Sequence, residues 1–146
     1  MKYALIGFGL IAFTMVSCAP ATNTIGNGRV MTLNPLGLFA DGSTSTAKGQ
    51  AELFLLADGK TKVVVTVSGL TANTKHIGHI HNGKCNAAGP VAVLLSELTA
   101  DTNGKASAET IVDTTKIPAS AYVQHHQRGT GATEGAGAGI VCGDII

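Results

Sequence analysis

Short runs of apolar and β-branched residues, separated by Gly, Asp and Asn, make up most of the chain from residue 29 onward. Residues 62–70 read Lys-Val-Val-Val-Thr-Val-Ser-Gly-Leu, and such a run fits the pleated surface of a strand. Residues 57–60, Ala-Asp-Gly-Lys, are typical of a hairpin turn. No segment keeps the apolar period of an amphipathic helix over several turns. The sequence therefore predicts an all-β sandwich or barrel.

The rest of the chain fits the same class. The Gly/Ala/Thr-rich residues 129–139 predict a long flexible loop. The length of 146 residues fits one domain, which can bury enough core to fold without a metal or a disulfide. A net charge of +1 and the lack of a Lys/Arg run argue against a nucleic-acid partner. Further strands are predicted at residues 29–33, 48–56, 91–95, 105–111, 121–126 and 140–146.

The beginning of the sequence predicts export. Met1 and Lys2 open a short positive region, and residues 3–16 are apolar apart from Gly and Thr. This run is short for a membrane span and has the layout of a signal peptide. We therefore expect the mature protein outside the cytoplasm, in the periplasm or cell envelope.

The end of this leader resembles a bacterial lipobox. Residues 15–18 read Met-Val-Ser-Cys, which would make Cys18 the lipidated first residue of the mature protein and a membrane anchor. Ordinary cleavage near residues 19–21 is the alternative. The expected organisation is a signal peptide at residues 1–18, a flexible tether at residues 19–28 and a β-sandwich domain at residues 29–146.

The cysteine count favours one disulfide. The chain has three Cys, and if Cys18 is lipidated or removed, only Cys85 and Cys142 remain. Disulfides persist in the oxidising compartments that exported proteins occupy. We predict a Cys85–Cys142 disulfide, with two free buried thiols as the alternative.

The five His fall into two clusters. Residues 76–81 read His-Ile-Gly-His-Ile-His, and His125 and His126 form the other cluster. In a strand, His79 and His81 point to the same face. Imidazole suits copper and zinc, so a third His from a distant strand would complete a metal site. His-x-His alone is a modest signal, because surface histidines can show the same pattern.

The context of these His resembles the copper-binding signature of Cu/Zn superoxide dismutases. In that family, Gly-Leu ends a strand, His-Gly-aromatic-His-Val-His follows with two copper ligands, and then come Cys and Ala-Gly-Pro. Here residues 69–70, 76–81, 85 and 88–90 stand in that order, and residues 140–145 resemble the closing strand with the second Cys. The resemblance covers about residues 45–146 and implies a Greek-key β-sandwich or flattened barrel with one intramolecular disulfide.

The resemblance also assigns roles to residues. It implies that His79 and His81 bind one copper, as Cu(I) or Cu(II), and that His76 orders a loop through hydrogen bonds without touching the metal. The third ligand should come from residues 122–126. If Val123 faces the core, His126 lies on the outer face, where the family holds copper, so His126 is favoured over His125.

The departures from the family are as informative as the matches. Val91 stands where a His bridges copper and zinc, and the zinc-binding loop is missing, so no zinc is expected. Gly139 stands where an Arg guides superoxide, although Arg128 on the same loop could substitute for it. Asp144 is expected to hydrogen-bond a loop rather than bind metal, and Met31 to be a core residue rather than a ligand.

Three functions follow from this resemblance. The first is an exported copper-binding protein in copper handling or oxidative defence, with weak or no dismutase activity. The second is an active copper-only enzyme that converts superoxide to oxygen and hydrogen peroxide. The third is a metal-free structural or adhesive sandwich, as in chordin-type domains. The oligomeric state is not readable from the sequence.

Overall fold

The computed structural model of the protein describes residues 28–37, 44–128 and 136–145. The predicted signal peptide, the lipidation site Cys18 and the tether up to residue 27 lie outside these residues. The predicted all-β class is confirmed, with one 3₁₀ turn at Thr114–Lys116. The strands are β1 (Arg29–Pro35), β2 (Lys48–Leu55), β3 (Lys60–Ser68), β4 (Lys75–Asn82), β5 (Val91–Thr99), β6 (Ala106–Asp113), β7 (Ala121–Arg128) and β8 (Ala136–Ile145).

The eight strands form one antiparallel sheet in the order β5-β4-β7-β8-β1-β2-β3-β6. The neighbours β4–β7 and β3–β6 are distant in sequence, as in Greek-key folds. The sheet curls until its two edge strands meet. There the Ser96 N–H donates to Thr110 Oγ1 at 2.8 Å, and the Ser96 hydroxyl donates to the Glu109 carbonyl oxygen at 2.7 Å. These hydrogen bonds join the two edge strands at Ser96, and the sheet becomes a nearly closed barrel.

The core follows from strict alternation along the strands. In β3, buried and more exposed residues alternate from Lys60 onward, because successive side chains point to opposite faces. Met31 is buried in this core, as expected. The completely buried aliphatic side chains come from strands throughout the barrel: Leu33, Ala51, Val63, Ile80, Leu98, Val123 and Val141.

The expected loop at residues 129–139 is too long. β8 begins at Ala136, and its first residues pair with β7 through Arg128↔Ala136 and His126↔Gly139. Small residues resemble a turn in composition, but their backbone N–H and C=O groups serve a ladder as well as those of any other residue. Strand β5 also extends beyond the expected residue 95 to Thr99, while β3 ends at Ser68 because Gly69 adopts a φ of 79°.

The predicted disulfide is confirmed. Cys85 and Cys142 are bonded, with their Cα atoms 5.9 Å apart. The Cys85 N–H also donates to Asp144 Oδ1 at 2.7 Å, which is the loop contact expected for Asp144. Residues 83–90, called here the β4–β5 loop, are thus attached to β8. None of the helical residues that the structure describes forms a segment long and apolar enough to cross a membrane.

Candidate metal centre

Strand parity divides the His of β4 between two faces. Gly78 and Ile80 are buried towards the barrel interior, and Ile80 is fully buried. His79 and His81 occupy the alternate positions and therefore lie on the outer face. On β7, the fully buried Val123 and His125 point inward, so that His126 lies on the outer face beside the β4 pair.

Three imidazoles converge on this outer face. One nitrogen from each of His79, His81 and His126 lies within 4.8 Å of the others. The ring centroids are 5.5 Å apart for His79 and His81, 5.2 Å for His79 and His126, and 5.8 Å for His81 and His126. Of the two alternatives for the third position, the structure brings His126 into the cluster and leaves His125 out of it.

Backbone carbonyls fix the orientation of two of the three rings. His81 Nδ1 lies 2.9 Å from the Gly89 carbonyl oxygen, and His126 Nδ1 lies 3.0 Å from that of Gly137. A carbonyl only accepts, so each Nδ1 carries the proton and each Nε2 keeps its lone pair. Metal-binding His commonly donate their other N–H in this way.

The remaining nitrogens have the character of metal ligands. Nε2 of His81, Nε2 of His126 and Nδ1 of His79 are buried and have no hydrogen-bond partner among the described residues. A buried polar atom without a partner is costly. Unpartnered nitrogens on three rings that each bring one nitrogen within 4.8 Å of the others fit a metal ion with borderline softness, which prefers imidazole nitrogen.

Burial lowers the pKa of two of the cluster rings, His79 and His126. Burial lowers the pKa of His79, and the neighbouring His126 and His81 lower it further. Burial also lowers the pKa of His126, although its hydrogen bond to Gly137 opposes the shift. Since only the neutral imidazole can bind a metal, these shifts favour the metal-binding form of His79 and His126.

His125 has a different environment. Its ring lies in the barrel interior, where a Cβ at Gly78 would overlap it. Burial lowers the pKa of His125 to about 4, with the backbone of His76 opposing the shift. The ring of His125 therefore occupies the space that a side chain at Gly78, on the adjacent strand, would need.

His76 lies outside the three-His cluster and makes contacts that order the chain. Its Nδ1–H donates to the carbonyl oxygen of His126 at 3.0 Å, and its Nε2 lies 2.7 Å from the hydroxyl of Thr74. The first bond joins the beginning of β4 to the backbone of a cluster residue. These contacts correspond to the role that the family resemblance implies for His76.

Three residues bear on the expected departures from the superoxide dismutase signature: Gly139, Val91 and Arg128. Gly139 pairs with His126 across β7 and β8, and a Cβ there would overlap the side-chain amide of Gln124 and lie 2.7 Å from Leu36 Cδ1. Val91 pairs with His81 and is 49% exposed. Arg128 pairs through its backbone with Ala136, and its side chain lies outside the described residues.

Two site features are absent from the sequence-based prediction. The ring of Tyr122 stacks on His81, with centroids 4.9 Å apart and an interplanar angle of 7°. The carbonyls of Gly89 and Gly137 orient two of the cluster rings. The period of two places Tyr122 on the face of His126, but only the β4–β7 register places it opposite His81.

A comparison of the sequence with known domain families gives a match over most of the chain. The pattern that defines the CHRD domain matches residues 30–136. The chain belongs to the CHRD domain family. This match spans most of the chain and includes the entire His cluster. No curated protein matches the chain in sequence.

Solved structures show the same fold as this CHRD domain. The crystal structure of a SOD-like protein from Bacillus subtilis is 17% identical, with a TM-score of 0.59, and the match covers 83% of this chain and 100% of that chain. A single mutant of that protein is 17% identical, with a TM-score of 0.61, and the match covers 83% of this chain and 99% of that chain. A double mutant of the same protein is 17% identical, with a TM-score of 0.55, and the match covers 82% of this chain and 98% of that chain. The resemblance to superoxide dismutases is thus confirmed at the level of the fold.

Proposed function

We propose that this CHRD domain binds one copper ion per chain, and no zinc, and serves in copper handling or oxidative defence outside the cytoplasm. The observation that carries the proposal is the cluster of His79, His81 and His126, in which each ring brings one nitrogen within 4.8 Å of the others and has a buried nitrogen with no hydrogen-bond partner among the described residues. Copper bound there would supply one-electron redox chemistry. Imidazole nitrogen suits this metal in both oxidation states that such chemistry needs.

The chain's own residues would prepare the centre for the ion. The Gly89 and Gly137 carbonyls hold two ligand rings in the tautomer that presents Nε2. His76 secures the backbone of His126. Three imidazoles are one ligand short of the tetragonal set that Cu(II) prefers, so a water or another side chain would complete the oxidised form.

We propose weak or no dismutase activity. Superoxide is an anion, and cationic side chains near a site raise its rate of association. Gly139 offers no charge, and the neutral amide of Gln124 fills the adjacent space. Val91 leaves copper without the bridging imidazole that Cu/Zn superoxide dismutases use. Superoxide would therefore be a poor substrate of this centre.

The decisive measurement combines copper content with the rate of superoxide removal. We expect one copper per chain and a rate close to that of the uncatalysed reaction. Copper with fast superoxide removal would instead identify an active copper-only dismutase. No copper binding would leave the metal-free structural or adhesive domain as the function.

The ligand assignment has its own test. Replacing His79 and His81 by Ala should weaken copper binding by more than about 100-fold, because even the outer partners of metal ligands contribute about 10- to 100-fold. Asn82→Ala is the matched control, since Asn82 is an exposed residue of the same strand. Equal copper affinity of the double variant and the control would contradict the assignment.

We further propose that the protein is exported and attached to a membrane of the cell envelope through a lipid on Cys18. The leader layout and the lipobox-like residues 15–18 support this. Cys18→Ser should move the protein from the membrane fraction to the soluble fraction and abolish incorporation of labelled palmitate. An unchanged distribution and no label in the original protein would contradict it.

A further inference from the structure

Tyr122 is a buried aromatic residue directly next to the proposed metal ligands. It is only 2% exposed and lies opposite His81 in the β4–β7 register. Directly opposed side chains of antiparallel strands are close enough to contact one another. Here the two rings lie nearly parallel, at 7°, with centroids 4.9 Å apart. One face of His81 is therefore covered by the phenol ring.

The hydroxyl of Tyr122 reaches the β4–β5 loop. The Gly89 N–H donates to Tyr122 Oη at 3.2 Å. The carbonyl of the same Gly89 accepts the Nδ1–H of His81 at 2.9 Å. One residue of the loop is thus held by Tyr122 on its N–H side and holds the ligand ring on its carbonyl side.

Gly89 has little freedom to move away from this position. A Cβ at Gly89 would overlap the carbonyl oxygen of Asn82, so the loop backbone lies directly against the end of β4. The Asn82 N–H also donates to the Pro90 carbonyl oxygen at 3.0 Å. The phenol ring, the loop residue and the ligand ring therefore form a closed set of contacts.

We propose that Tyr122 is a positioning residue for the metal centre: it fixes the ring plane of His81 by stacking, and fixes its tautomer through Gly89. The inference rests on the proposed function as far as the ion is concerned. The arrangement of the apo protein is independent of it. Tyr122 touches a ligand and not the ion, so its contribution is to geometry and affinity.

Two substitutions separate the two contacts. Tyr122→Phe keeps the ring and removes only the hydroxyl, whereas Tyr122→Leu removes both the stack and the hydroxyl. We expect copper affinity to fall about 3- to 10-fold for Tyr122→Phe, the equivalent of one hydrogen bond, and about 10- to 100-fold for Tyr122→Leu. Phe54→Leu is the matched control, because it makes the same aromatic-to-leucine change on β2, away from the cluster.

Spectroscopy distinguishes positioning from general loss of stability. The electron paramagnetic resonance spectrum of the Cu(II)-loaded protein should change in both Tyr122 variants and stay the same in Phe54→Leu. Unchanged affinity and spectrum in both Tyr122 variants would overturn the inference. Tyr122→Phe preserves the volume of the side chain, so it remains informative if Tyr122→Leu does not fold.

A metal-free measurement keeps the inference separate from the proposed function. Nitrogen-15 shifts of the His81 ring should show a single Nδ1–H tautomer in the original protein and a mixture in Tyr122→Phe. Failure of the original protein to bind copper would refute the proposed function alone. The same tautomer ratio in the original protein and the variant would refute the positioning role.

Discussion

The two halves of the barrel are built on different rules. In the half formed by β1, β2, β3 and β6, the ladders run without interruption. They extend from Arg29↔Leu53 to Leu33↔Gly49, from Lys48↔Ser68 to Leu55↔Thr61 and from Lys60↔Asp113 to Val67↔Ala106. In the half formed by β4, β5, β7 and β8, the register shifts four times. Each of these four shifts has a His at its boundary: His76/Gly78, Ile80/His81, His125/His126 and His126/Arg128.

The register shifts occur in the strands that carry the three-His cluster and not in the other half of the barrel. Irregularities in a ladder re-aim side chains and are common next to active sites. The regular half buries alternate aliphatic residues of β3. The irregular half buries four His, and several of their ring nitrogens have no partner among the described residues. Changes in the regular half should therefore leave metal affinity unaltered, whereas the irregular half should determine it.

The largest expected effect is a loss of stability when the disulfide between the β4–β5 loop and β8 is removed. Replacing both Cys85 and Cys142 by Ser removes a cross-link between residues 57 positions apart. In the chain-entropy model, this lowers the free energy of unfolding by about 4 kcal/mol. Urea denaturation measures it, with the original protein under reducing conditions as the control. A loss below about 1 kcal/mol would mean that the irregular half is held by its packing alone.

The second prediction concerns pH. Burial lowers the pKa of His125 from 6.5 to about 4, so the unfolded chain binds more protons between these values. The metal-free protein should be fully stabilised above pH 6.5 and lose about 3 kcal/mol as the pH falls to about 4. The lowered pKa values of His79 and His126 act in the same direction.

Unfolding in urea at several pH values checks this, and His125→Leu should reduce the dependence on pH. If the variant keeps the full dependence of the original protein, His125 is not its main source. In that case His79 and His126 of the three-His cluster would account for the loss of stability at low pH.

The third prediction tests the regular half. Val65→Ala removes two methyl groups from a side chain that is 2% exposed, and it should cost about 2 kcal/mol from lost burial and the remaining cavity. Val64→Ala, on the opposite face of β3, should cost less. Copper affinity should be the same in both variants. A specific loss of copper binding in Val65→Ala would show that the halves are coupled.

The smallest effect is expected beside the cluster. Gly139→Ala places a Cβ against the amide of Gln124, and this should cost about 1 kcal/mol, because the end of a flexible side chain can move. Adding Gln124→Ala should restore most of the loss. Thermal unfolding of the two variants measures the effect. If the double variant does not regain stability, the steric overlap of the new Cβ is with Leu36 and not with Gln124.

Much of the fold was predictable because its signals are local. The run of β-branched residues at 62–70 and the turn at residues 57–60 identified the clearest strand and hairpin. The boundaries were less accurate: the small residues of early β8 resembled a loop, because composition reports side chains and not the backbone ladder that Ala136 and Gly139 enter. The disulfide followed from counting Cys and from the family resemblance.

The sequence by itself determined the strand periodicity and the common face of His79 and His81, since both follow from spacing along the chain. The tertiary structure alone decided which His of β7 meets them, where their protons lie and that Tyr122 and Gly89 bracket His81. These depend on the register between β4 and β7, which are joined by hydrogen bonds although they lie about 40 residues apart. Local propensity does not specify such a register. Packing across the whole barrel does.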